Sequence, residues 1–164
     1  IQRKFGKDVY DLVMGLTNDH FSPEEWSGYE RRLVEDLGLE PDAAEEVLRQ
    51  FEYSHGICKK IENPRVMAIK SADVISNSFF LDTLDAKPEI QSKIAAKFVT
   101  PYELFRSRFP GLVEQAPQLG LSAEGVQQTA EMFAGQKGIL LGYAQAWRHY
   151  EVQVAAFEFL QPLR

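Results

Sequence analysis

The chain has 164 residues, of which 45% are hydrophobic and 26% charged, and its formal net charge is −6. A chain of this length can bury a core of its own without a disulfide or a structural metal, and the single cysteine, Cys58, excludes an intramolecular disulfide. The acidic balance argues against a nucleic-acid polymer as partner, and no apolar run approaches the length of a membrane span. These features predict a globular cytoplasmic protein that does not act at a membrane.

Capping and turn residues divide the first half of the chain into four predicted helices. The strongest start signal is a capping box, in which Ser22 is the N-cap, Pro23 the first helical residue and Glu25 the third. Pro64 ends the third helix, because the residue before a proline is pushed out of the helical region. The predicted helices cover residues 2–16, 22–36, 41–62 and 65–84.

The second half contains more prolines and glycines and is predicted to be more interrupted. The Thr100-Pro101 pair repeats the cap-plus-proline start, and Pro110 with Gly111 should stop that helix. The predicted helices cover residues 87–98, 100–109 and 122–159, with a break in the last at 135–138. Since no alternating strand pattern, heptad or internal repeat is present, the sequence predicts an all-α bundle of seven to nine helices.

The helix that follows Pro64 is apolar over most of its circumference. One broad apolar face holds Ile69, Ala72, Ile75 and Phe79. A narrow polar stripe holds Lys70, Asp73 and Asn77. A helix that is apolar on nearly every side is expected inside the protein, where Asp73 would need an ionic partner or a cation. Alternatively, Lys70 and Asp73, three residues apart, could form a weak surface ion pair.

Two segments carry a resemblance to a known family. Residues 5–17 read Phe-Gly-Lys-Asp-Val-Tyr-Asp-Leu-Val-Met-Gly-Leu-Thr, and residues 68–77 read Ala-Ile-Lys-Ser-Ala-Asp-Val-Ile-Ser-Asn. Together they resemble the second half of an HD-superfamily domain, most closely the branch that contains guanosine tetraphosphate hydrolases. In that branch a Phe-Gly-x-x-Val-x-x-Leu-Val helix precedes an (Ile/Leu)-Lys-x-Ala-Asp-x-x-x-Asn helix. The resemblance covers roughly residues 1–82, and nothing familiar follows residue 85.

The resemblance implies a metal-dependent phosphohydrolase with a helical HD-like fold. Asp73 would then be a ligand of a catalytic divalent metal, with manganese the expected ion. Lys70 and Asn77 would help to hold the substrate, a small phosphorylated molecule and in particular a nucleotide. Residues 1–84 would form the C-terminal part of the HD-like domain, and residues 85–164 would be additional helices packed on it.

The chain departs from the family pattern in its histidines. The family's other metal ligands are a His and a consecutive His-Asp pair, on helices that precede the Phe-Gly segment. No histidine of this chain is followed by aspartate; the three are His20, His55 and His149. We therefore expect the ligand helices to be absent from this sequence, which would then be a portion of the enzyme and would not bind the metal by itself.

Two alternatives stay open at the level of sequence. The first is a catalytically inactive interaction or regulatory module on an HD scaffold, in which Lys70 or Arg65 holds Asp73. The second is an unrelated helical domain whose polar stripe faces solvent. The residues do not choose among these, and they do not decide whether the protein forms a homodimer.

Overall fold

The computed structural model describes residues 2–17, 20–79, 81 and 87–160. In this part of the chain every regular element is helical and no strand is present, so the predicted all-α class is confirmed. The helices are α1 (Gln2–Phe5), α2 (Lys7–Leu16), α3 (Pro23–Glu35), α4 (Pro41–Lys60), α5 (Pro64–Phe79), α6 (Pro88–Gln115), α7 (Ala123–Gln145) and α8 (Tyr150–Leu160). No helix within these ranges combines the length and hydropathy of a membrane span.

The starts of the early helices follow their local signals. At the start of α3, Ser22 Oγ accepts a hydrogen bond from the Glu25 backbone N–H at 3.2 Å, and Glu25 Oε2 accepts one from the Ser22 N–H at 2.8 Å. This is the predicted capping box. The single helix predicted over residues 2–16 is instead divided at Gly6, whose φ of +84° is a conformation that residues with a Cβ rarely adopt.

The predicted breaks in the second half are wrong. The long helix α6 continues through Pro101 and Pro110, and α7 continues through residues 135–138. The reason is an aromatic cluster, in which the ring of Phe133 on α7 lies 4.2, 5.5 and 5.1 Å from three rings of α6, those of Tyr102, Phe105 and Phe109. A proline in a helix costs about 3 kcal/mol, and burying one large apolar side chain contributes about 1.5–3 kcal/mol. The joint burial of these rings therefore outweighs the prolines.

Helix α4 packs against α3, α6 and α8. Its Phe51 ring lies 5.6 Å from Tyr29 of α3 and 5.3 Å from Phe157 of α8. Buried residues from both predicted segments, 1–84 and 85–164, join one hydrophobic core. The predicted boundary between the segments, at residues 84 and 85, lies outside the described residues.

Helix α5 is buried on one side only, whereas the sequence predicted a helix that lies inside the protein. Its buried residues are Val66, Met67, Ser71, Val74, Ile75 and Ser78. Of the broad apolar face only Ile75 is buried, whereas Ile69 is 43% and Phe79 41% exposed. The two serines permit this orientation, because Ser71 Oγ donates to the Ala68 carbonyl at 2.8 Å and Ser78 Oγ donates to the Ile75 carbonyl at 2.9 Å. A serine that bonds its own helix can be buried at little cost.

The two segments that carry the HD-like resemblance pack on each other, since α2 contacts α5. A Cβ built on Gly15 would lie 2.7 Å from Val66 Cγ2, so the two helices approach as closely as they do only because residue 15 is glycine. The buried Lys60 at the end of α4 donates a hydrogen bond to the carbonyl of Thr17, just after α2. These contacts fix α5, and with it the polar stripe, relative to the start of the described chain.

Candidate functional site

The predicted polar stripe of α5 forms a hydrogen-bonded row, called here the polar row: Lys70, Asp73 and Asn77. Asn77 Nδ2 donates to Asp73 Oδ1 at 3.0 Å, and Lys70 Nζ lies 3.4 Å from Asp73 Oδ2. The Lys70 side chain is only 12% exposed, but that of Asp73 is 49% exposed. The expected burial of Asp73 is therefore wrong, because the row lies at the edge of the buried face of α5. The carboxylate is oriented by its neighbours and remains accessible from solvent.

Side chains from two other helices lie beside the polar row. The Lys97 ammonium of α6 lies 4.1 Å from the centre of the Tyr53 ring of α4. Burial raises the pKa of Tyr53, and the negative charge of Asp73 raises it further. Burial also lowers the pKa of Lys97, the positive charge of Lys70 lowers it further, and Asp73 acts in the opposite direction. Helices α4, α5 and α6 thus contribute to one polar cluster, formed by the row together with Tyr53 and Lys97.

The residues of this cluster do not by themselves make a metal site. Asp73 is its only carboxylate, and the described ranges contain no group of three or more His, Cys, Asp and Glu side chains that could hold an ion. Transition metals and Mg²⁺ need four to six ligands, of which one carboxylate supplies one or two. Two of the histidines face other acids: His20 Nδ1 lies 3.2 Å from Glu52, and His149 Nε2 lies 3.5 Å from Glu46. The metal role of Asp73 stays a prediction.

A groove of about 400 Å³ between α4 and α6 adjoins the polar cluster. Its lining includes His20, Arg49, Gln50, Tyr53, Lys93 and Lys97. Tyr53 and Lys97 belong to both the groove and the cluster. The sequence analysis missed this groove because its walls come from helices distant in the chain. One signal was present, since Lys93 and Lys97 are four residues apart on α6, as are Arg49 and Tyr53 on α4.

No family model, no curated protein and no solved structure matches the chain significantly.

Proposed function

We propose that this chain is a portion of a metal-dependent phosphohydrolase that cleaves a phosphate or pyrophosphate ester of a nucleotide. The observation that supports this proposal is the polar row, in which Asn77 and Lys70 hold the half-exposed carboxylate of Asp73. The row has the Lys-x-x-Asp-x-x-x-Asn spacing of the HD-like resemblance. The helix that carries the other part of the resemblance, α2, packs directly on α5.

The described residues fit the holding of a phosphate better than its hydrolysis. The Lys70 ammonium lies against Asp73 and directs one of its three N–H donors at the carboxylate. Lys97 is near enough for the charge of Asp73 to act on its pKa. The side-chain amide of Asn77 fixes the orientation of Asp73. One carboxylate is too few for a metal, so the proposed enzyme requires further ligands from outside the described residues.

One observation favours an alternative, a regulatory or interaction module without a working metal. The Lys70–Asp73 distance of 3.4 Å gives the half-exposed carboxylate a cationic partner on its own helix, so that it needs no metal to be neutralised. No ion pair between Asp73 and Arg65 is found in the described part of the chain. In this alternative the polar row would be a structural feature of α5, and the groove would still be available to a ligand.

The two functions are separated by metal analysis of the longest native form of the protein and by phosphate release from nucleotides, with and without manganese. The enzyme reading predicts bound metal and manganese-dependent release. Asp73→Ala should lower turnover by more than about 100-fold, because even residues that only hydrogen-bond a metal ligand are worth about 10–100-fold. The fold should be retained, since half of this side chain is already exposed.

Asp36→Ala is a matched control. Asp36 is also an exposed aspartate with one basic neighbour, Arg32, at 3.5 Å, but it lies at the end of α3 and outside the polar cluster. This variant should keep the metal and the turnover of the unmodified protein. Unchanged turnover in Asp73→Ala would contradict the enzyme proposal. If the native protein contains no metal and releases no phosphate, the regulatory or interaction module would be the function that is supported.

A further inference from the structure

The side-chain amide of Gln50 lies in the wall of the groove without a hydrogen-bond partner among the described residues. Gln50 belongs to α4 and is only 5% exposed. It is one of the residues that line the groove. Its carbonyl oxygen can accept a hydrogen bond and its NH₂ group can donate two. The amide is therefore available to a molecule that occupies the groove.

Lys97 adds a cation that has no ion-pair partner among the described acids. Its ammonium lies over the Tyr53 ring, and no carboxylate of the described residues lies within ion-pair distance of it. It is also half-buried, and this burial, together with the charge of Lys70, lowers the pKa of Lys97. A bound anion would offset both the burial of Lys97 and its repulsion by Lys70, because it would supply an opposite charge.

The other two cations of the groove, Arg49 and Lys93, do not use all of their N–H donors in hydrogen bonds. Arg49 uses Nε and Nη2 on one oxygen of Glu45, at 3.2 and 2.5 Å, which leaves its second terminal nitrogen. Lys93 uses one of three N–H groups on Glu46, at 3.1 Å. Such partly exposed ion pairs contribute only about 0–1 kcal/mol, so a ligand can share them at low cost.

Glu52 is the one acid among the described residues of the lining, and it is already engaged. Its Oε1 accepts a hydrogen bond from the Phe21 backbone N–H at 2.7 Å, and its Oε2 lies 3.2 Å from His20 Nδ1. Glu52 therefore does not compete strongly for the three cations that line the same groove.

We propose that the groove between α4 and α6 binds a phosphate or pyrophosphate group of a small molecule, with Lys97 as its principal cation and Gln50 as a neutral hydrogen-bond partner. A tetrahedral phosphate accepts hydrogen bonds from several directions, which suits donors on two helices, whereas a single carboxylate offers two oxygens in one plane. The volume of about 400 Å³ lies within the usual range of small-molecule pockets, about 300–1,000 Å³. The inference extends the proposed function, since Lys97 also belongs to the polar cluster, but it requires neither metal nor hydrolysis.

The test is a calorimetric titration of the full chain with inorganic pyrophosphate in a buffer that contains EDTA. We expect saturable binding at one site. Lys97→Gln should weaken it by about tenfold or more, the loss expected for one charged hydrogen bond. Gln50→Met, which keeps the size of the side chain and the net charge but removes the amide, should weaken it by about threefold or more. Circular dichroism checks that each variant is folded.

Arg106→Gln is the matched control. It removes one positive charge from the same helix at an exposed position outside the groove, and should change the affinity for pyrophosphate by less than about twofold. An equal loss in Arg106→Gln and Lys97→Gln, or no saturable binding at all, would overturn the proposal. Citrate that binds as tightly as pyrophosphate would overturn the assignment of the groove to phosphate.

Asp73→Ala separates this inference from the proposed function. Removal of a negative charge near Lys97 should leave pyrophosphate binding unchanged or make it tighter, even where turnover is lost. Pyrophosphate binding that persists in a protein without hydrolytic activity would support the proposed binding site in the groove and would reject only the phosphohydrolase function. Binding that disappears in folded Asp73→Ala contradicts the groove, because none of the proposed contacts involves that carboxylate.

Discussion

The two halves of α6 lie in opposite environments on either side of Pro101. The first half presents Lys93 and Lys97 to a groove, where the contacts are partly exposed ion pairs and a lysine over an aromatic ring. The second half presents three buried aromatic rings to Phe133 of α7. Ion pairs of the first kind exchange partners at little cost, whereas close-packed rings do not. The comparison suggests that a rigid apolar half supports an adaptable polar half on one continuous helix.

The largest expected effect comes from removing the ring on which the apolar half packs. Phe133 is 1% exposed and meets Tyr102, Phe105 and Phe109. Phe133→Ala should lower the free energy of unfolding by about 3–5 kcal/mol, because it leaves a cavity that the α6 rings cannot fill without moving. Urea unfolding followed by circular dichroism measures this change.

The neighbouring residue provides the control. Met132 precedes Phe133 on α7 but is 44% exposed, so Met132→Ala should change the free energy of unfolding by no more than about 0.5 kcal/mol. Similar losses in the two variants would mean that the aromatic cluster does not hold the second half of α6 in place.

Signals confined to a few residues of chain could be predicted from sequence. The Ser22–Glu25 capping box is complete within four residues, so the start of α3 does not depend on the rest of the fold. In the same way, the spacing of Lys70, Asp73 and Asn77 places them on one side of a helix whatever surrounds it, and the structure brings them within contact distance.

Features decided by packing could not be predicted. Pro101 and Pro110 are helix breakers by local rules, and only the rings gathered around Phe133 explain why α6 continues through them. The inward face of α5 was equally undetermined, because both of its sides are apolar and the choice depends on the burial of Ser71 and Ser78. The exposure of Asp73 follows from that choice.

A smaller effect is expected at the junction between the two halves of α6. Ser78 Oγ donates to the Ile75 carbonyl, so the Tyr102 hydroxyl, 2.6 Å away, must be the donor in their shared hydrogen bond. Tyr102→Phe should therefore lower the free energy of unfolding by about 0.5–1.5 kcal/mol, the value of one buried hydrogen bond. Thermal unfolding checks this, with Tyr150→Phe as the control, because the Tyr150 hydroxyl has no hydrogen bond within the described part of the chain. An equal loss of stability in the two variants would mean that the hydrogen bond between Tyr102 and Ser78 of α5 contributes nothing beyond the general effect of removing a tyrosine hydroxyl.

The smallest effect, and one that depends on pH, is expected in the polar half. Partial burial acts to raise the pKa of Glu46, but the hydrogen bond and charge of Lys93 on α6, with the charges of Arg148 and His149, outweigh it and leave the pKa below its ordinary value of 4.5. A carboxyl whose folded-state pKa is depressed stabilises the fold fully above its unfolded-state pKa, and this stabilisation is lost as the pH falls through the folded-state value. Glu46→Gln should therefore lower the free energy of unfolding by less than about 1 kcal/mol near neutral pH. Its difference from the unmodified protein should shrink as the pH is lowered from about 5 to about 3 in urea unfolding experiments. A difference that stays constant over that interval would show that these ion pairs do not stabilise the first half of α6, and the contrast between its two halves would then be one of burial alone.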